Sequence, residues 1–374
     1  MNSDNGFNTE NKTGVGIIGC GNISKVYCKN LPLFQHLNLV ACADVVRERA
    51  EERAAEFHIT ALSVEELLAH PGIEIVVNLT IPDAHAEVSR AILKAGKHVY
   101  SEKPLATTRG DARKVLKRAK KKHLQVGGAP DTFLGGAWQT VRQLIDQGAI
   151  GEPVAAAAFF LGHGPEQWHP NPDFFYQPGA GPLFDLGPYY LTALINLLGP
   201  VRGVAALARV SFPERIAGDG HIIPVDTPTH VTGSLEFKTG ALATLITSFD
   251  VWYSQLPRVE IYGSEGSLYA PDPNQFGGRV FVRGKDDTEW RAIPVELPYN
   301  ENWRGLGVAD MAYGIRCNEP IRCSGEMTFH VVDVMQSLLK SAEKGKRIEI
   351  KSRCERPAPL LHAEEWKIQR IGEG

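Results

Sequence analysis

The chain has 374 residues, a formal net charge of -3, 43% hydrophobic residues and 22% charged residues. It is too long for one ordinary core and about right for two domains. The balanced charge leaves no basic footprint for nucleic acid or an anionic membrane surface.

Residues 1–12 are polar and rich in Asn, without the apolar centre of a signal peptide, and are expected to form a disordered tail. No apolar run approaches the roughly 18 residues of a membrane span. The six cysteines (20, 28, 42, 317, 323 and 354) form no CxxC pair. That usage suits a reducing compartment and argues against structural zinc, so a cytoplasmic protein is expected.

From Thr13 onward, short apolar runs at 15–18, 37–43, 74–79, 98–100 and 124–126 alternate with helical patterns near 22–31, 46–57, 84–95 and 109–122. Ser63-Val64-Glu65-Glu66 has the form of a capping box for a further short helix. Buried strands alternating with helices predict a parallel sheet covered on both faces. We expect a dinucleotide-binding Rossmann domain over 13–130.

Beyond Gly128 the texture changes. A helix near 137–147 leads through Gly148 and Gly151 into a strand at 154–160. Residues 162–182 are crowded with Gly, Pro and aromatics, and a single helix is expected over 183–198. Repeated β-like segments follow, at 230–237, 241–249 and 259–262 among others, with a turn at 263–266. Helices near 302–317 and 327–343 and a last strand at 347–350 complete the chain. Residues 131–374 are therefore expected to form an α+β domain with a large, mostly antiparallel open sheet, serving substrate binding and oligomerisation. The fold class is α/β.

The turn after the first strand carries Gly19, Gly21, Asn22 and Ile23, with Ser24 in the third place of G-x-G-x-x-(G/A). Glycines there let the backbone approach a pyrophosphate, and a following helix start favours its negative charge. The next strand ends in Asp44, at the spacing of about 20 residues expected of a ribose-binding acid. Its carboxylate would repel a 2′-phosphate, so NAD is expected over NADP, although Arg47 nearby leaves NADP possible. The alternative is a glycine-rich turn and a surface Asp without a cofactor.

Thr80, Ile81 and Pro82 end the third long strand, where loops of such sheets meet nicotinamide. His85 follows, as a cofactor or substrate contact or as a packing histidine. Glu102-Lys103-Pro104 comes after the strand at 98–100, at the carboxyl edge of the sheet. A lysine there can stabilise a developing alkoxide, with burial and the cationic nicotinamide ring lowering its pKa. Read alone, the tripeptide is equally an exposed loop.

The glycine turn, Thr80-Ile81-Pro82, Glu102-Lys103-Pro104, Gly148-Ala149-Ile150-Gly151-Glu152 and Asp185-Leu186-Gly187-Pro188-Tyr189-Tyr190 occur in this order. Together they resemble the glucose-fructose oxidoreductase/inositol dehydrogenase (Gfo/Idh/MocA) family over almost the whole chain. The resemblance implies NAD(P)-dependent hydride transfer on a hydroxyl/carbonyl pair of a sugar, glycoside or polyol, with Lys103 catalytic. It also implies a homodimer or homotetramer. Tyr189 stands where histidine is usual and Thr192 where a second Asp is usual, as in a tyrosine-bearing branch similar to dihydrodiol dehydrogenase. Asp185 and Tyr189, four apart on the expected helix, would face the cleft together. Tyr189 would then serve as acid/base if Lys103 lowers its pKa, or else pack as a core aromatic.

His163, Trp168 and His169, in the Gly/Pro-rich loop, are candidates for substrate contact, with either histidine able to replace the missing base. Asp131 and Phe133 are expected to border the same site. No metal is expected, because no ligand cluster is visible. Two other activities fit the same residues: glycoside cleavage through transient hydroxyl oxidation and elimination, and NAD-bound regulation without catalysis.

Overall fold

The computed structural model describes residues 12–360 and Trp366. The expected tail therefore lies, apart from Lys12, outside the described residues. The first half is a six-stranded parallel sheet built from β1 (Thr13–Ile18), β2 (Leu37–Ala43), β3 (Thr60–Ala61), β4 (Ile75–Asn78), β5 (His98–Ser101) and β6 (Val126–Gly128). The strands lie in the order β3-β2-β1-β4-β5-β6. This order reverses direction beside β1, and ligands of open α/β sheets bind at such a switch point. β1 and β4 are buried along their whole length, as strands covered on both faces must be.

The helices of this half are α1 (Ser24–Asn30), α2 (Arg47–Phe57), α3 (Val64–Ala69), α4 (Pro82–Lys94) and α5 (Arg109–Lys122). Ser63 caps α3 through the reciprocal bonds of a capping box with Glu66, each supplying a partner that the helix end lacks. Two strands differ from expectation. β3 is a two-residue edge strand with no apolar run to announce it. β6 lies two residues later than the predicted 124–126.

The second half begins with α6 (Gly136–Asp146) and β7 (Pro153–Leu161). α7 (Gly181–Asp185), α8 (Gly187–Leu198) and β8 (Val201–Arg209) come next, then a small hairpin of β9 (Glu214–Ile216) and β10 (Ile222–Pro224). β11 (His230–Phe237), β12 (Leu242–Ser248), β13 (Val259–Gly263), β14 (Gly266–Ala270), β15 (Val280–Gly284) and β16 (Arg291–Ile293) continue the chain. It closes with α9 (Leu306–Cys317), α10 (Gly325–Lys344) and β17 (Ile348–Glu349).

Nine of these strands form one sheet in the order β16-β15-β14-β13-β7-β12-β11-β8-β17, antiparallel except at β7·β12. One face is covered by α6, α7, α8 and α10, and among the described residues the other is open. Leu207 and Leu242 are exposed on that open face.

The single helix expected over 183–198 is broken at Leu186. Pro188 has no N–H, so it cannot bond the carbonyl of Phe184, four residues earlier. Tyr189 N–H donates instead to Leu186 O (3.0 Å), which leaves the Asp185 carbonyl free of the helical ladder.

Candidate active site

A cleft of about 820 Å³ runs between the carboxyl edge of the parallel sheet and the 162–182 loop. At its floor the Lys103 ammonium lies 2.6 Å from Asp185 Oδ1 and donates to the Asp185 carbonyl at 2.7 Å. This is the carbonyl released by the helix break. The same ammonium sits 5.3 Å from the centre of the Tyr189 ring. Asp185 and Tyr189 thus face the cleft together, but across a break and not along one helix.

Burial opposes the Lys103 charge, yet the Asp185 carboxylate, with Tyr189 and Glu102, overrides it and holds the pKa above the ordinary lysine value. The expected lowering by burial is therefore corrected. Tyr189 also departs from expectation. Burial raises its pKa, outweighing Lys103 and Arg304, which both favour the phenolate. The phenol is thus protonated across the neutral range.

Arg304 is the residue that sequence reasoning missed. It lines the cleft, its charge favours the anion of the nearby Tyr189 phenol, and it is braced by Asn302 Oδ1 (2.8 Å) and Asn274 Oδ1 (2.7 Å). No motif surrounds it, and only the tertiary fold brings the segment before α9 against α8. Tyr189 therefore feels two cations.

Backbone and side-chain bonds fix the rest of the floor. Glu102 accepts from the Tyr27 hydroxyl (2.9 Å) and from the Lys103 N–H (2.9 Å). His85 lies within bonding distance of Pro104 O through Nδ1 (2.7 Å) and of Thr80 O through Nε2 (2.9 Å). It ties the loop after β4 to the loop bearing Lys103. Burial lowers its pKa, and its position is that of a brace between loops.

Two expected contacts lie elsewhere. Asp131 is buried, and its Oδ2 accepts the N–H groups of Gly305 (2.9 Å) and Gly307 (3.0 Å) at the start of α9. Burial pushes its pKa up to about 6. Phe133 is buried in the main core. Neither residue lines the cleft, because Asp131 turns to the start of α9 and Phe133 packs into the core.

His163, Trp168 and His169 do line the cleft. His163 stacks on Trp252 with ring centres 3.3 Å apart, and its Nε2 faces Arg215. Its pKa is lowered, first by burial and then by the Arg215 cation. His169 Nδ1 lies within bonding distance of both the Asn171 carbonyl oxygen (2.9 Å) and the Asn171 N–H (3.1 Å). The loop itself is anchored by a buried network. Arg215 pairs with Glu166 (3.1 Å) and Asp250, and the Tyr176 hydroxyl donates to Glu166.

The glycine turn fits a dinucleotide. Gly19 has φ +103° and packs against the Leu79 carbonyl, whereas a Cβ at Gly21 would enter empty space. Asp44, at the tip of β2, accepts the Cys20 N–H (2.7 Å) and the Val46 N–H (2.9 Å). Its two oxygens keep lone pairs for ribose hydroxyls. Ser24, in the third place of the motif, donates to Gly21 O (2.6 Å) and accepts from the buried Arg53 Nε (2.9 Å). Arg53 also reaches Cys20 O (3.4 Å). The serine is thus half of a polar prop under the turn, and neither Arg53 nor Tyr27 was visible as such in the sequence. Among the described residues, no group of three or more His, Cys, Asp or Glu side chains could hold a metal ion, and no helix is long and apolar enough to cross a membrane.

The parallel sheet, its glycine turn and the lysine at its edge define a two-part nicotinamide-dependent oxidoreductase. A family model described as "Oxidoreductase family, NAD-binding Rossmann fold" matches residues 13–128, and the "GFO/IDH/MocA C-terminal domain" matches residues 138–269. The chain belongs to the Gfo/Idh/MocA family, and it is an NAD(P)-dependent dehydrogenase/reductase acting on CH–OH groups.

The dTDP-3,4-didehydro-2,6-dideoxy-alpha-D-glucose 3-reductase of Saccharopolyspora spinosa is 30% identical over 75% of this chain and 77% of its own length. The myo-inositol 2-dehydrogenase of Thermotoga maritima is 26% identical over 68% of this chain and 74% of its own. Levoglucosan dehydrogenase, solved with NADH and levoglucosan, has the same fold, with a TM-score of 0.80 at 21% identity over 91% of this chain and all of that one.

Proposed function

We propose that the protein moves hydride between a ring hydroxyl of a sugar or polyol and NAD, with Lys103, Asp185 and Tyr189 handling the proton. The observation that carries this reading is the Lys103 ammonium, held between Asp185 and the Tyr189 ring on the floor of the cleft. NAD supplies or accepts the hydride when bound at Gly19, Gly21, Asn22, Ile23, Asp44 and the loop of Thr80 and Pro82.

In the reducing direction the Tyr189 phenol gives its proton to the nascent alkoxide. Lys103 and Arg304 then stabilise the phenolate left behind. In the oxidising direction the phenolate takes the hydroxyl proton. Asp185 keeps Lys103 charged and aimed, and Glu102 and His85 hold the two loops in place. The Tyr189 ring lies against the Lys103 ammonium, whereas the His163 ring stacks on Trp252 with its Nε2 facing Arg215, which favours Tyr189 over His163 for the proton.

Purified protein offered a panel of sugars, inositols and glycosides with NAD should develop reduced-nicotinamide absorbance on some of them, and Lys103→Ala should abolish it. Absence of any absorbance change, with NAD still bound, would overturn the reading in favour of regulation. Aglycone release without net reduction would favour cleavage. By family resemblance a second copy covers the open face of the nine-stranded sheet, which a light-scattering mass of two or four chains checks. The reducing cytoplasm is the compartment we assign, on the cysteine usage.

A further inference from the structure

The chemistry at Lys103 needs one carbon bearing a hydroxyl, but the cleft extends well past it. Its outer wall is the 162–182 loop, which carries a cluster of rings. Phe174 and Phe175 lie 3.9 Å apart, and the His169 ring meets both edge-on at 5.6 and 5.0 Å. Trp168 meets His169 at 5.6 Å.

The cluster has a buried root and an open crown. Phe175 packs in a small core with Tyr176, Ile223 and Phe249, while Trp168 is 73% exposed and Phe174 39% exposed. The Glu166–Arg215–Asp250 network fixes the root, so the crown is a preformed platform. Exposed aromatic faces on a rigid support mark binding surfaces, and the C–H face of a sugar ring suits a π surface. Asn171 and Gln177 stand beside the platform, offering amides to hydroxyl groups.

Charge narrows the ligand further. Among the described residues lining the cleft, the only lysine and arginine are Lys103 and Arg304. The first is paired with Asp185, and the second is bonded to Asn274 and Asn302. No uncommitted cation faces the outer wall to hold a phosphate or diphosphate, whose recognition calls for Arg or Lys.

Resting on the sugar reading above, we propose that the 162–182 wall is a second-ring subsite for a neutral, unphosphorylated disaccharide. Its reacting ring lies at Lys103, Asp185 and Tyr189, and its second ring stacks on Trp168.

The test uses the full chain with saturating NAD and measures kcat/KM for glucose, glucose 6-phosphate, maltose, cellobiose, lactose, trehalose and sucrose. At least one disaccharide should exceed glucose by about tenfold or more, mainly through KM. Trp168→Ala should lower that disaccharide-to-glucose ratio about tenfold, and Trp168→Phe should restore most of it. A ratio near one in the wild type, or a ratio unmoved in Trp168→Ala, overturns the subsite while leaving the sugar reading intact. Preference for the phosphorylated sugar overturns the charge argument. Failure of every sugar overturns the sugar reading, and the subsite falls with it. Trp168 is outside the core, so melting curves of both variants should overlay the wild type.

Discussion

Alanine at Gly21 and alanine at Gly19 should fail in opposite ways, and the structure sets the size of each effect. At Gly19 a Cβ would meet the Leu79 carbonyl carbon at 2.6 Å, with φ at +103°. The left-handed conformation and the backbone clash together cost about 2–5 kcal/mol. For a chain of this size that is a fall in Tm of about 3–6 °C. At Gly21 a Cβ meets nothing within 4 Å, so stability should change by less than about 0.5 kcal/mol. The added methyl stands instead where the pyrophosphate must approach. NAD at a hundred times its Kd stabilises the wild type by about 2.7 kcal/mol, and a hundredfold loss of affinity leaves only about 0.4 kcal/mol. Thermal melts with and without NAD separate the two cases. Gly19→Ala should melt early, whereas Gly21→Ala should melt like the wild type and lose the NAD-induced shift. A Gly21→Ala protein that keeps the full shift refutes this placement of the cofactor.

Tyr189→Phe should lower turnover by at least a hundredfold. Burial raises the phenol pKa, so wild-type oxidation should climb with pH into the alkaline range while reduction stays level through neutrality. Loss of that alkaline limb in Tyr189→Phe is the expected signature, and an unchanged profile assigns the proton elsewhere. Asp44→Ala should weaken NAD more than NADP, as read by the two Kd values. An unchanged NAD-to-NADP ratio would remove Asp44 from cofactor choice. Arg53→Leu deprives Ser24 and Cys20 of their shared donor and should raise KM for NAD about tenfold with little change in kcat. Equal losses in both would make Arg53 a general stability residue.

Much of the first half was legible because its signals are local. The run 37–43 and the helical pattern 109–122 match β2 and α5, and the Ser63 capping box formed as read. β3 was invisible because two edge residues need no apolar run. The cleft was legible where motifs marked it, at Lys103, Asp185 and Tyr189, and illegible where tertiary packing made it. Arg304 reaches Tyr189 from the far side of the second half, and Asp131 is drawn away to serve the start of α9. The pKa directions of Lys103 and Tyr189 depended on burial and on partners distant in sequence, which no local pattern carries.

The break between α7 and α8 has a cost and a use in different currencies. A continuous helix would let the Tyr189 amide reclaim the Asp185 carbonyl, adding a turn of ladder to the fold and removing an acceptor from Lys103. Pro188 keeps that repair from happening, so the chain forgoes a little stability to keep one oxygen vacant for the cation. Pro188→Ala should then be a more heat-resistant protein and a poorer enzyme, an exchange between robustness and function at one residue. Such an exchange would be seen as a higher Tm beside a lower kcat.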